Sequence, residues 1–232
     1  MNVTIASIFR DSASYLDRYV SQVASLRDAL AARGDSLRGV WGEGDSIDRT
    51  AQILAEKARK RALTFDLIDV SHGGPKFGSV NVEQRWRQIS YCCNAVLDAI
   101  KPDADVVIYV ESDLIWDAET MVTLLTRLSA PDVQAVAPMS MAYGETPPRF
   151  YDTYGHRSGG EQFQPYAPFH PGLKSGQLLK LDSAGSCIVM SGVVARKARF
   201  TPPELGIVGW GNDINAQGYS FWLDPTQSVW HP

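Results

Sequence analysis

Two carboxylates set two residues apart, Glu111 and Asp113, end the apolar run that opens the stretch VVIYVESDLIW. Alternate residues of a strand project to one side, so both acids can face a single cation. A hard divalent ion such as Mg²⁺ or Mn²⁺ takes oxygen ligands and keeps positions open for phosphate oxygens. A diphosphate leaving group needs that neutralisation, because breaking its bond to a sugar leaves extra negative charge behind. The competing use of an acid here is helix capping. Asp117 is placed to cap the helix that follows, which leaves Glu111 and Asp113 without a structural task.

The elements that must position these acids follow from hydrophobic periodicity. Residues 3–9 read as a strand, followed by a helix with Leu16, Tyr19, Val20, Val23, Leu26 and Leu30 on one face and a stop at Gly34. A second strand at 37–41 leads through GEGDSIDRT into a helix ending near Ala62, with Ser46 or Asp48 as its N-cap. A third strand at 64–70 precedes a glycine-bearing loop and a helix from about Val82 to Ile100 that turns Ile89, Val96, Leu97 and Ile100 inward. The fourth strand, 105–110, a helix over AETMVTLLTRL and a fifth strand, 133–138, complete the alternation. That order specifies an α/β fold, a mostly parallel sheet with helices on both faces. Ligands bind such sheets at the carboxyl ends of the strands, where Glu111 and Asp113 lie. Residues 142–180 are rich in Gly, Pro and aromatics and carry no clean period, as expected of a functional or mobile loop region. Order returns with a strand at 183–191 and a closing strand ending SVWHP.

With 232 residues, 44% of them hydrophobic, the chain is long enough for one large domain with its own core. A net charge of −4 and a pI near 5.6 advertise no phosphate track for nucleic acid. The most basic stretch, EKARKRA at 56–62, ends a predicted helix, where cations suit the dipole. Three cysteines, Cys92, Cys93 and Cys187, form neither a paired framework nor a zinc pattern, so a reducing, cytoplasmic location is expected. No apolar run approaches membrane-spanning length, and no membrane partner is expected.

Other residues have chemistry of their own. Glu43 and Asp45 follow the second strand, where a carboxylate accepts hydrogen bonds from a base N–H or a ribose hydroxyl. Arg85 and Arg87 open the helix before the fourth strand and can grip phosphate through forked donors. Asn94, mid-helix, is expected to bond a neighbouring loop. The glycines around Trp210 in GWGNDINAQGY suggest a loop that moves.

A strand ending in an acid-x-acid triplet after βα units resembles the Asp-x-Asp motif of GT-A-fold glycosyltransferases. FRDSASYL followed by GEGDSIDRT is similar to the opening of the fungal capsule-associated α-1,3-mannosyltransferases and, more loosely, of the yeast Golgi mannan polymerase family. FYDTYGHRSGG and KLDSAGSCIVMSGVVARKARF resemble later blocks of the capsule group. The triplet departs from the family pattern by beginning with Glu, and Tyr-Gly-His-Arg follows YDT.

This resemblance implies a single GT-A domain over 1–232, with a nucleotide-sugar half at 1–140 and a loop-rich acceptor half at 141–232. It implies a Mn²⁺ or Mg²⁺ ion on Asp113, Glu111 and His231, and a nucleotide contact by Ser7, Arg10, Asp11 and Ser112 beside Glu43 and Asp45. Gly185 and Ser186, in a small-residue turn after Asp182, would let backbone approach the donor sugar. Asp213 corresponds in place to the general base of inverting members, and Trp210 would pack on a pyranose. Tyr151, Asp152 and Arg157 would bound the sugar and acceptor, with His156 in the same segment. The implied reaction is hexosyl transfer from GDP-mannose or a UDP-sugar to a hydroxyl acceptor, with retention of configuration.

The acceptor can be a glycan, a small molecule or a modified DNA base. A viral transferase acting on DNA is disfavoured by the acidic charge. A nucleotidyltransferase would carry a Gly-rich loop where SIFRDSAS has no glycine. A non-catalytic nucleotide-sugar-binding module would not need the intact acids.

Overall fold

The computed structural model describes residues 1–78, 80–163, 173, 176–202 and 206–232, with only the backbone for 206 and 207. His170 and most of the predicted loop between 164 and 175 lie outside the described residues. Strands and helices alternate through the first half: β1 (Asn2–Phe9), α1 (Leu16–Ala31), β2 (Ser36–Glu43), α2 (Thr50–Lys60), β3 (Phe65–Asp69), α3 (Glu83–Asp98), β4 (Val106–Val110), α4 (Ala118–Arg127) and β5 (Ala135–Ala142). The second half holds β6 (Arg157–Ser158), β7 (Glu161–Gln162), β8 (Leu179–Leu181), β9 (Cys187–Ser191), α5 (Gly192–Lys197), α6 (Gly206–Ala216) and β10 (Phe221–His231).

Among the described residues, eight strands form one sheet in the order β3-β2-β1-β4-β9-β5-β10-β8. Strands β1 to β5 and β10 run parallel, while β9 and β8 run against them. The chain builds outward from β1 through β2 to β3, then crosses to β4 on the other side of β1. A crevice opens at such a switch point, at the carboxyl ends of the strands.

Both faces are covered, as the alternation requires. One apolar cluster packs α1, α2 and α4 on the sheet through Leu16, Tyr19, Val20, Leu54, Met121 and Leu124. The other packs α3, α5 and α6 through Cys93, Val96, Val194, Ala195, Trp210 and Ile214. Each large apolar side chain so buried contributes roughly 1.5–3 kcal/mol against its exposed state. Helix α1 stops where expected: Gly34 takes φ 77°, and the amide of Asp35 turns back to the Leu30 carbonyl. Asp117 caps α4, accepting from the Thr120 amide at 2.7 Å. Asn94 bonds both the amide and the carbonyl of Phe200, tying α3 to the chain after α5.

Three expectations change. The segment around Trp210 is a helix, α6, and its glycines serve packing. A side chain at Gly209 would collide with the Thr201 carbonyl, and one at Gly211 with Ser183. Ser46 and Asp48 do not occupy the cap position of α2, which Arg49 takes with φ 65°. Strand β9 begins at Cys187, because 183–186 form the turn that reaches the crevice.

Candidate active site

Glu111 and Asp113 follow the carboxyl end of β4, at the switch point where β4 pairs with β1. The turn that carries them is held from three sides. Glu111 donates its amide to the Ser186 carbonyl at 2.8 Å. Ile115 and Trp230 exchange backbone hydrogen bonds of 2.8 Å, which docks the end of β10 on the turn. Tyr15, Arg18 and Gln22 recur at helical spacing and meet successive residues of the turn. Tyr15 Oη lies 3.3 Å from Ser112 Oγ, Arg18 Nη2 donates to the Asp113 carbonyl at 2.6 Å, and Gln22 Nε2 donates to the Leu114 carbonyl at 3.4 Å.

The docked strand brings His231 to the acids. Its Nε2 lies 3.4 Å from Asp113 Oδ2, and one donor atom from each of Glu111, Asp113 and His231 falls within 4.8 Å of the others. Two carboxylates and an imidazole form a nitrogen–oxygen donor set that suits Mn²⁺ and admits Mg²⁺. The Glu111 carboxyl lies buried among other acids. Burial, and then the Asp113 and Asp152 carboxylates, push its acid up to about 8, against the opposing Ser186 hydrogen bond and Arg85 guanidinium. Among the described residues, this is the one His/Cys/Asp/Glu group so arranged.

Arg85, in the first turn of α3, faces the same acids. Its guanidinium lies 4.3 Å over the Trp86 ring and makes no hydrogen bond among the described residues. Burial draws the pKa of its guanidinium below the ordinary value, while Glu111 and Tyr151 act in the opposite direction and favour the cation. Arg87, two residues on, turns to the surface and pairs with Glu83, so the structure separates two arginines that the sequence presents together.

On the β1–β2 side, three loops form a rim fastened by side chains. Asp11 accepts from the Ile47 amide and pairs with Lys76 at 2.7 Å, and its own amide donates to Ser46 Oγ. Asp48 accepts from the amides of Ala13 and Thr50. Asp45 accepts from the amides of His72 and Gly73, and the His72 bond is the main cause holding its carboxyl below the usual range. Arg10 donates to the carbonyls of Gly74 and Pro75. Asp11, Asp45, Arg49 and Ser186 all have positive φ without being glycine, a conformation that costs about 1–3 kcal/mol each and clusters at functional sites. Two buried atoms here have no partner: Arg10 Nε, a donor, and Glu43 Oε1, an acceptor.

Across the crevice, the segment after β5 supplies Tyr151 and Asp152. Tyr151 lies flat on the His231 imidazole, with centroids 3.9 Å apart and planes 10° from parallel. Asp152 Oδ1 accepts from the Gly155 amide at 2.7 Å, and Oδ2 faces Nδ1 of the fully buried His156 at 3.5 Å. Burial alone would raise the Asp152 acid; His156 and the amides of Gly155 and Tyr154 hold it below its ordinary value. Arg157 stays in this segment, with Nε donating to the Tyr154 carbonyl.

Five predicted contacts are relocated. Ser7 is fully buried and its hydroxyl is used inside the fold, donating to the Val110 carbonyl at 2.6 Å and accepting from Tyr19. Trp210 is fully buried, stacked on Phe200 at 4.2 Å and edge-on to Tyr109, so no pyranose can reach it. Asp213 lies in the last turn of α6, which leads into β10 at the amino edge of the sheet. It accepts there from the Arg199 amide, and Arg199 pairs with Asp98, the residue that ends α3. The base position suggested for Asp213 is thus at the wrong end of the strands. At Gly185, the space a side chain would need is filled by Asp152, where a ligand was expected. Ser186 hydrogen-bonds Glu111, as a support for that acid.

Sequence reasoning passed over Arg18 and His72. The stripe Tyr15, Arg18, Gln22 was a readable signal, since polar groups at that spacing need a partner along one line. His72 had no pattern to mark it.

No protein-family model matches the sequence, and neither does any curated protein. Solved structures do match. S. aureus TarS 1-349 superposes with a TM-score of 0.63 at 11% identity, over 99% of this chain and 60% of that one. Its complex with UDP-GlcNAc gives a TM-score of 0.61 at 13% identity, over 99% and 58%, and its complex with UDP gives 0.60 at 11%, over 99% and 60%. The chain therefore has the α/β fold of these structures and spans about three fifths of their length.

Proposed function

We propose that this chain is a metal-dependent glycosyltransferase that moves a sugar from a nucleotide-diphosphate sugar to a hydroxyl acceptor. The observation that carries the reading is the convergence of Glu111, Asp113 and His231 at the switch-point crevice. The shared fold supports it, since one neighbouring structure holds UDP-GlcNAc and another UDP. Those neighbours make a UDP-hexose the first donor to test, ahead of GDP-mannose.

Glu111, Asp113 and His231 would hold Mn²⁺ or Mg²⁺, which when bound supplies the charge that neutralises the departing diphosphate. Arg85, half-buried and free of hydrogen bonds among the described residues, adds a second positive charge on the phosphate side. Arg10 and Glu43, each with a buried polar atom left without a partner, would stand beside the nucleoside, and Asp45 and Asp11 set the rim around it. Asp152 and Tyr151 bound the acceptor side. The resemblance to mannosyltransferases implies retention, and the withdrawal of Asp213 removes the acid proposed as an inverting base. In this reading residues 1–140 are the donor half and 141–232 the acceptor half of one GT-A unit. No described helix is long and apolar enough to cross a membrane. The three free, buried cysteines suit a reducing compartment, which we take to be the cytoplasm. The net charge of −4 favours a glycan over DNA as acceptor.

The test is incubation with Mn²⁺ and a panel of UDP- and GDP-sugars, following slow donor hydrolysis and thermal stabilisation. Hydrolysis of one donor, abolished by EDTA and by Asp113→Asn, is expected. Silence toward every donor, with and without metal, would overturn the reading.

A further inference from the structure

We infer that Tyr151 is a positioning residue that fixes the plane of His231, so that the imidazole meets the metal ion already oriented. The inference rests on the metal site proposed above and assigns a task to a residue outside its donor set. A histidine at the end of a strand can rotate about two side-chain bonds, and only a narrow range of rotations aims Nε2 at an ion shared with Glu111 and Asp113. Three observations define the orientation here. The Tyr151 ring covers one face of the imidazole, 3.9 Å away and 10° from parallel. His231 Nδ1 lies 3.1 Å from the Pro232 carbonyl oxygen, an arrangement in which Nδ1 carries the proton and leaves the Nε2 lone pair for the ion. Nε2 is already turned to Asp113 Oδ2, 3.4 Å away.

The stack is built on fixed backbone. The Tyr151 amide donates to the Ser140 carbonyl and Phe150 forms an antiparallel bridge with Met141, so the Tyr151 backbone is fastened alongside β5. The Tyr143 amide donates to the His231 carbonyl, which ties the histidine to the same hairpin. Ring and imidazole therefore ride on one rigid unit. The Tyr151 side chain is 36% exposed and its hydroxyl makes no hydrogen bond among the described residues. Packing does not demand an aromatic ring at this position, and the flat contact with His231 is what the ring supplies.

The experiment measures Mn²⁺ affinity directly, by electron paramagnetic resonance of free Mn²⁺, on the intact protein without donor. Tyr151→Phe keeps the stack and is expected to bind within about twofold of wild type. Tyr151→Leu keeps apolar bulk but loses the flat face and is expected to bind about tenfold more weakly, the scale seen when the orienting partner of a ligand is removed. In a His231→Ala background, Tyr151→Leu is expected to have no further effect. Circular dichroism and thermal melting establish that each variant is folded. Equal affinity of wild type and Tyr151→Leu would overturn the inference while leaving the metal site standing. An equal loss in Tyr151→Phe would assign the effect to the hydroxyl and would also overturn it. Absence of Mn²⁺ binding by wild type would sink the site itself.

Discussion

The carboxylate of Asp152 occupies the volume that any side chain on Gly185 would need. The contact links the turn before β9 to the segment after β5, and the Gly155 backbone closes on both, because a Cβ there would lie 2.8 Å from the Gly185 Cα. Gly185→Ala should therefore push Asp152 off His156 and destabilise the fold by about 1–3 kcal/mol, the usual cost of overpacking. Urea unfolding measures the loss, and Ala184→Gly, which adds nothing to the contact, serves as a control for changes in the turn. An unchanged midpoint for Gly185→Ala would show that the turn can yield.

Asp152 also makes a prediction about acid. Its folded carboxyl is held below the ordinary 3.8 by His156 and two backbone amides, against the burial that would raise it, with Glu111 the nearby acid. A lowered folded value means that the stabilisation is complete above the unfolded value. It then drains as pH falls through the folded one. Asp152→Asn should therefore flatten the loss of stability below about pH 4, read by denaturant titration at pH 3 to 6. A parallel acid limb in the variant would mean that other carboxylates set it.

Asp213 is expected to matter for stability and not for chemistry. Asp213→Asn should leave donor turnover within about twofold of wild type, while Asp213→Ala should cost about 1 kcal/mol by orphaning the Arg199 amide. A hundredfold fall in turnover with an intact fold would return the residue to the reacting groups.

The two arginines of α3 should part company in kinetics. Arg85→Ala is expected to lower kcat/KM for the donor roughly tenfold to a hundredfold, with less effect on Mn²⁺ affinity. Arg87→Ala, which only breaks an exposed pair with Glu83, should stay within about twofold. Equal effects would mean that α3 contributes general charge and no aimed group.

Much of the scaffold was legible because its signals are local. The stripe from Leu16 to Leu30, the stop at Gly34 and the cap at Asp117 are each settled within a few residues, and the structure shows all three. The acid pair was legible for the same reason, since a strand exit and a two-residue spacing fix both position and direction. Helix α6 was misread because glycine's meaning is not local. At Gly209 and Gly211 it permits contact with Thr201 and Ser183, partners distant enough in sequence to leave no trace in the pattern. Trp210 and Asp213 went astray with it. Ser7 lay at the right end of the right strand, yet its hydroxyl was already spoken for by Val110 and Tyr19. Only long-range pairing could reveal that.

The rim around Arg10, where the proposed function seats the nucleoside, is sewn together by its own side chains. Asp11, Asp45 and Asp48 lash three loops to one another. If a nucleoside binds there as proposed, little backbone is left to freeze, so its association should carry a small entropic penalty in titration calorimetry. The same stitching makes the rim a shared fixture: cutting one lashing would loosen loops that never touch the guest.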